Sequence, residues 1–166
     1  MRYLDVIATL NRHGVKFVVV GGMAVIMHGH PRKTKDLDNL VDLSPENARA
    51  LAAALREAGY APKVPVRVED LGDPAVRASW VEDKGMKALM FWKNRSGDVD
   101  VLVTSPVTYE EATRGGPVYE VEGTPVPIAS IPALVSMKRH AGRPHDLDDV
   151  DALERISAMM RQEDEA

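Results

Sequence analysis

The sequence predicts an α+β (mixed α/β) fold, with a central sheet flanked by helices and further helices at the C-terminal end. Three observations carry this. An apolar run, Lys16–Val20, breaks at Gly21-Gly22 into a short helical pattern. Two alternating segments, "MKALMFW" and "DVDVLV", flank the turn "KNRSG" in mid-chain. Helical periodicity dominates both ends, so helices and strands mix rather than alternate strictly.

In chain order, residues 2–13 place Leu4, Ile7, Ala8 and Leu10 on one side of a helix that stops at Gly14. Residues 16–20 read as a buried strand, 22–29 as a short helix and 36–42 as a second strand. Ser44-Pro45-Glu46 is a helix start: a Ser cap, Pro in the first helical position and an acid near the positive helix end. That helix runs to about Ala58 and ends at Gly59. "APKVPVRVEDLGDP", residues 61–74, reads as a long loop or an irregular strand with a loop. A short helix follows over 74–82, then the hairpin 86–92 and 98–103, and a helical turn over 106–113. Short strands at 118–122 and 125–128 surround Gly123. The last two helices span 130–140 and 145–161, the second with Leu147, Val150, Leu153 and Ile156 as its buried stripe. The final "RQEDEA" is polar and expected to fray.

The 166 residues fit a single domain, 1–166, with a core at about 14–104 and a helical C-terminal portion at about 130–161. Hydrophobic residues at 45% and charged residues at 28% are ordinary for a soluble chain, and no apolar run is long enough for a membrane span. There is no cysteine, which excludes disulfides and thiolate chemistry and fits a cytoplasmic location. The net charge of -4 leaves only a local basic patch for any nucleic-acid contact. Four histidines at 28, 30, 140 and 145 match no zinc spacing. His28 reads as a packed or hydrogen-bonded residue.

The chemistry concentrates in "VVVGGMAVIMHGHPRKTKDLDNLVD", Val18–Asp42. In a strand, residues i and i+2 share a face, so Asp36 and Asp38 project together. Two like charges so close raise each other's pKa unless cations offset them. Mg²⁺, a hard cation favouring carboxylate and phosphate oxygens, is one such partner. Asp98 and Asp100 also share a face. If their strand lies beside 36–42, a third carboxylate reaches the same point. Three such acids suit two metals roughly 4 Å apart for in-line displacement at phosphorus. Taken alone, an Asp-X-Asp pair is more often the mark of a solvated strand end, and Asp42 reads that way. Gly21-Gly22 lets the backbone approach a ligand and leaves helix N–H groups free for phosphate, or simply makes a tight turn. Arg32, Lys33 and Lys35 suit phosphate or nucleic-acid contact. Arg32 equally suits a solvated loop offsetting the Asp pair, and Lys33 and Lys35 suit that loop better.

The combination of apolar strand, Gly-Gly, 13 intervening residues, Asp-Leu-Asp and a later apolar-Asp-apolar strand resembles the nucleotidyltransferase superfamily of the DNA polymerase beta type. "GGMAVIMHGHPRKTKDLD", "SPENARALAAALREAGY" and "LVSMKRHAGRPHDLDDVDAL" narrow the resemblance to small bacterial nucleotidyltransferase-like proteins related to the AbiEii toxin group. The resemblance implies a nucleotidyltransferase-type mixed sheet. It implies transfer of a nucleoside monophosphate from an NTP to a hydroxyl acceptor such as a tRNA, a protein or a small molecule. Asp36, Asp38 and Asp100 would hold Mg²⁺, with Asp100 as base. Gly21 and Gly22 would shape the phosphate turn, and Arg32, Lys138 and Arg143 would contact the nucleotide. The alternative it leaves open is a non-catalytic nucleotide- or partner-binding module, the toxin-like component of a toxin–antitoxin pair with a cognate antitoxin. Asp98, preceded by Gly97, fits the third-acid pattern less well than Asp100. Asn39 departs from the pattern, which has an apolar residue there. For Lys138 a helix C-terminus, and for Asp146, Asp148 and Asp149 a helix start, are the simpler structural explanations.

Overall fold

The computed structural model describes residues 2–166. A five-stranded sheet is built from β1 (Phe17–Val20), β2 (Leu37–Val41), β3 (Ala61–Pro62), β4 (Ala88–Trp92) and β5 (Val99–Leu102), in the order β1-β2-β5-β4-β3. Only β2 and β5 are parallel; the other neighbours are antiparallel. A hairpin of β6 (Val118–Val121) and β7 (Thr124–Pro127) lies outside this sheet. Its continuation meets the free edge of β1, where Ala129 N–H donates to the Val19 carbonyl at 3.0 Å. The edge strand is thereby covered.

Side-chain alternation divides the sheet into two faces. Leu37, Val41, Val99, Val101, Leu89 and Phe91 are buried on one of them. Helices α1 (Leu4–Arg12) and α3 (Pro45–Glu57) pack against each other, and buried Ile7, Leu10, Leu51 and Leu55 belong to the same core. On the opposite face Val18, Val20 and Leu40 are buried. There α2 (Gly21–Met27), α5 (Tyr109–Thr113) and α6 (Ile131–Ala141) pack together beside β1 and β2. That cover stops short of β4: Met90 and Trp92, with which β4 continues the same face, remain exposed.

Local rules explain the helix starts. Ser44 Oγ accepts from Asn47 N–H at 3.2 Å ahead of Pro45, and Asp73 Oδ1 accepts from Ala75 N–H at 2.9 Å ahead of α4 (Pro74–Lys84). Asn47 then ties the strand ends together. It accepts from Lys16 N–H at 2.8 Å and donates to the Asp42 carbonyl at 2.7 Å.

Several boundaries differ from expectation. The 61–74 segment contains β3 and a 3-10 turn at Val68–Gly72 packed on α3, because Val68 and Leu71 are buried. The last helix, α7 (Pro144–Asp164), carries most of the polar tail rather than fraying at 161. Its buried stripe is Asp146, Asp149, Val150 and Leu153, whereas Leu147, expected inside, is 49% exposed. Two acids occupy the positions facing α6, and Leu147 is rotated outward by the helical period. Among the described residues no helix is long and apolar enough to cross a membrane.

Candidate active site

The parallel β2–β5 pairing sets Asp38 directly beside Asp100. Laterally paired residues point to the same side of a sheet, so the two carboxylates share one face. Asp36 and Asp98 sit just before β2 and β5, one alternation earlier, on that same face. Burial and then the Asp36 charge raise the Asp38 pKa, against the pull of Lys138, Arg143 and Arg32. Burial raises Asp100 to about 6, helped by Asp38, Asp36 and Asp98 and opposed by Lys63. Asp100 Oδ1 is buried with no hydrogen-bond partner among the described residues.

The glycines fit this geometry for different reasons. Gly21 has φ +64°, and a Cβ there would overlap the Asp38 carboxylate. Gly22 lets the basic loop close down: a Cβ would lie 2.8 Å from Thr34 Oγ1 and 3.3 Å from the Arg32 guanidinium carbon. Asn39 lies on the opposite face, fully buried, and its amide donates to the Leu37 carbonyl at 3.1 Å and the Asp100 carbonyl at 3.3 Å. It braces the two acid-bearing strands from behind, a role an apolar residue would not fill.

The three cations expected at the nucleotide belong to one network. Lys138 is buried, and its Nζ meets Asp146 Oδ1 at 3.1 Å and Asp149 Oδ2 at 2.8 Å. Arg32 pairs with Asp149 from the other side. Arg143 Nε donates to Asp146 Oδ2 at 2.7 Å. Helix-end effects therefore do not account for Lys138, Asp146 and Asp149. Asp146 does cap, accepting from Arg143 N–H at 3.3 Å, but both acids are almost wholly buried and exist as partners of cations. Burial favours the neutral form of Asp146, yet hydrogen bonds from Arg143 and Lys138 outweigh it and lower its pKa. Asp148 is exposed and outside the network. His28 is a packed residue whose Nε2 donates to the Ala129 carbonyl at 2.8 Å.

A cleft of about 530 Å³ opens beside the acids, between the sheet and α6. Asp38 and Gly21 line one side, and Lys138, Arg143 and Asp146 the other. Among the described residues, no three Asp, Glu or His side chains are drawn together tightly enough to hold a metal ion. The donor chemistry nevertheless suits a hard divalent cation. Two neighbouring carboxylates have raised pKa values, and one has a buried oxygen without a partner.

A family model, aminoglycoside-2''-adenylyltransferase, matches residues 3–155. The chain belongs to that family. Being a member of the aminoglycoside-2''-adenylyltransferase family, it is a nucleotidyltransferase enzyme. Solved structures agree on the fold. ANT(2'')-Ia in complex with adenylyl-2''-tobramycin superposes with a TM-score of 0.56 at 14% identity, covering 96% of this chain and 94% of that one. The lincosamide antibiotic adenylyltransferase LnuA, lincomycin-bound, gives 0.55 at 14%, covering 88% and 90%. A solution structure of ANT(2'')-Ia gives 0.55 at 13%, covering 96% and 89%. A search of curated protein sequences found no match.

Sequence reasoning missed two supports of this family member's site. Tyr3 donates its hydroxyl to the Lys35 carbonyl and packs on Gly97, where a Cβ would overlap the phenol. It thus pins the Asp36 loop to the β4–β5 turn. Lys63, from the proline-rich segment, pairs with Asp98. The Gly97-Asp98 step was the visible signal for the first, because glycine before a strand marks a close approach. Nothing local marks Lys63.

Proposed function

We propose that this chain is an Mg²⁺-dependent adenylyltransferase that moves AMP from ATP to a hydroxyl group of a small acceptor. The observation carrying this is the side-by-side placement of Asp38 and Asp100, with Asp38 lining a cleft whose far wall carries Lys138 and Arg143. Asp36, Asp38 and Asp100 would hold the metal, which would supply charge neutralisation at the phosphates. Gly21 and Gly22 bring the start of α2 close to the triphosphate. Arg143 and Lys138, with Arg32 behind them, face its β and γ phosphates. The acceptor oxygen attacks the α-phosphorus, its proton passes to the Asp100 carboxylate, and the α–β bridging bond breaks to release pyrophosphate. Without a metal, that carboxylate has a pKa of about 6, and a bound cation would lower it and keep the group ionised at neutral pH. Positioning and charge compensation do most of the work.

A small antibiotic-like acceptor is favoured by the family and by the adenylyl-tobramycin and lincomycin in the two neighbours. A narrower reading makes the chain a cytoplasmic, toxin-like nucleotidyltransferase acting on tRNA or protein and held by a cognate antitoxin. It rests on the AbiEii-like segments alone, and the net charge of -4 weighs against a large polyanion.

The test is calorimetry with each NTP, with and without Mg²⁺, on the wild type and on Asp36→Asn/Asp38→Asn. Metal-dependent ATP binding that the double variant loses is the expected result. A folded wild type that binds no NTP would refute the proposal.

A further inference from the structure

Two large apolar side chains next to the third acid are left uncovered. Met90 is 44% exposed and Trp92 51% exposed. Met90 is the β4 residue paired with Asp100, one strand spacing of about 5 Å away. Trp92, two residues on, points to the same face and is level with Asp98, one step past the last paired residues Phe91 and Val99. Lys63, whose backbone N–H donates to the Met90 carbonyl at 2.8 Å, reaches back across this face to Asp98. Trp92 lies on an interior strand, paired with Ala61 of β3, and a tryptophan on a sheet face is normally covered, as Trp80 in α4 is at 4% exposure.

The charges around the acids are arranged unevenly. Lys138, Arg143 and Arg32 face Asp38, from the β1 and α6 side. The cation facing Asp100 is Lys63, already paired with Asp98. Under the adenylyl transfer proposed above, on which this inference rests, the leaving pyrophosphate lies toward the first set. In-line displacement then requires the attacking hydroxyl to enter from the opposite side of the phosphorus, over β5 and β4.

We infer that Met90 and Trp92 form the acceptor platform, which selects a hydroxylated ring compound with an apolar face to lie on the indole and thioether. Such sites combine an apolar floor with a few polar groups that orient the ligand, here Asp98, Asp100 and Lys63. Asp98 and Asp100, beside a lysine already paired with Asp98, repel a nucleic-acid backbone, so this surface disfavours a polynucleotide acceptor.

The experiment follows the indole N–H signals of ¹⁵N-labelled protein, with the Trp92 signal assigned by Trp92→Phe. Mg²⁺ and a non-hydrolysable ATP analogue are present throughout, and lincomycin, tobramycin and a single-stranded RNA oligonucleotide are the probes. Lincomycin or tobramycin should shift the Trp92 signal, and RNA should not. For whichever antibiotic is adenylylated, Trp92→Ala should raise its KM by about tenfold and Met90→Ala by less, while the ATP Kd stays within about twofold. Trp92→Phe should keep most of the affinity. The inference is overturned if neither antibiotic moves the Trp92 signal, if RNA does so, or if the KM is unchanged in Trp92→Ala. It is also overturned if the chain proves to be a dimer that Trp92→Ala dissociates, since a second copy would then cover the platform. Failure of the wild type to bind the ATP analogue would instead remove the adenylyl-transfer reading beneath it.

Discussion

Replacing Lys138 by methionine separates a nucleotide contact from a structural cation. Methionine keeps the length and apolar stem of lysine, so the change removes charge with little change in volume. In the wild type the ammonium lies 3.1 Å from Asp146 Oδ1 and 2.8 Å from Asp149 Oδ2, and both carboxylates are almost fully buried. Removing one member of a buried ion pair costs about 3–5 kcal/mol, because a charge is left without compensation in a poorly solvated place. Arg143 and Arg32 still serve Asp146 and Asp149, which places the expected loss near the lower end, about 3 kcal/mol. For a chain of this size each kcal/mol moves Tm by about 2–4 °C, so Lys138→Met should melt about 6–12 °C below the wild type. Circular dichroism melts at pH 7.5 without nucleotide measure this. Adding Asp149→Asn to Lys138→Met should recover part of the loss, since the surplus anion goes too, and the double-mutant cycle isolates the coupling. A Lys138→Met melt within about 2 °C of the wild type would refute the reasoning. Lys138 would then be a ligand contact that the fold does not need.

Two further outcomes follow from the acid pair. Gly21→Ala forces a side chain into a left-handed backbone, at about 1–2 kcal/mol, and pushes Asp38 out of place. Its melt should fall by about 2–8 °C, and Mg²⁺-dependent ATP binding seen by calorimetry should weaken by at least about tenfold. Undiminished ATP affinity would show that Asp38 need not hold its position. The Asp100 pKa, raised from 3.8 to about 6, means that the metal-free folded protein takes up this proton before the unfolded chain does. The strain of the ionised group is full above pH 6 and is relieved as pH falls from about 6 to 3.8. Asp100→Asn should therefore melt above the wild type at pH 7.5, with the gap closing toward pH 4, and Mg²⁺ should stabilise the wild type more than the variant. A variant that melts below the wild type at pH 7.5 would contradict this.

What was legible in the sequence is what local physics decides. Ser44-Pro45 marks a helix start wherever it occurs, and "DLD" and "DVD" fix which side chains share a face once the segments are extended. Gly21 marked its turn because few other residues accept its φ. The pairing of β2 with β5 is a long-range contact that alternation cannot specify. The sequence allowed Asp100 to reach Asp38 without requiring it. The roles of Asp146 and Asp149 were hidden for a related reason. Acids in the first turns of a helix have a sufficient local explanation in capping and dipole effects, so nothing in α7 itself announces that they face Lys138 and Arg32. Leu147 was misplaced by the same error, since apolar periodicity assumes that charged residues stay outside.

The network also bears on how a nucleotide can approach. Arg32, Lys138 and Arg143 sit where a triphosphate would want cations, yet all three are engaged by Asp146 and Asp149. Lys63 is engaged by Asp98. Among the described residues Asp38 and Asp100 form no side-chain ion pair, and one Asp100 oxygen is buried without a partner. The surplus negative charge of the region is therefore concentrated at the carboxylates beside which the α-phosphate has to lie. A triphosphate adds further negative charge at that point, and helix N–H groups contribute only a fraction of a unit charge against it. A divalent cation arriving with the nucleotide removes the conflict, because it compensates carboxylates and phosphates together. On this geometry ATP affinity without the metal is limited by like-charge repulsion from Asp38 and Asp100. Neutralising either acid should then strengthen metal-free binding while abolishing the metal-dependent gain.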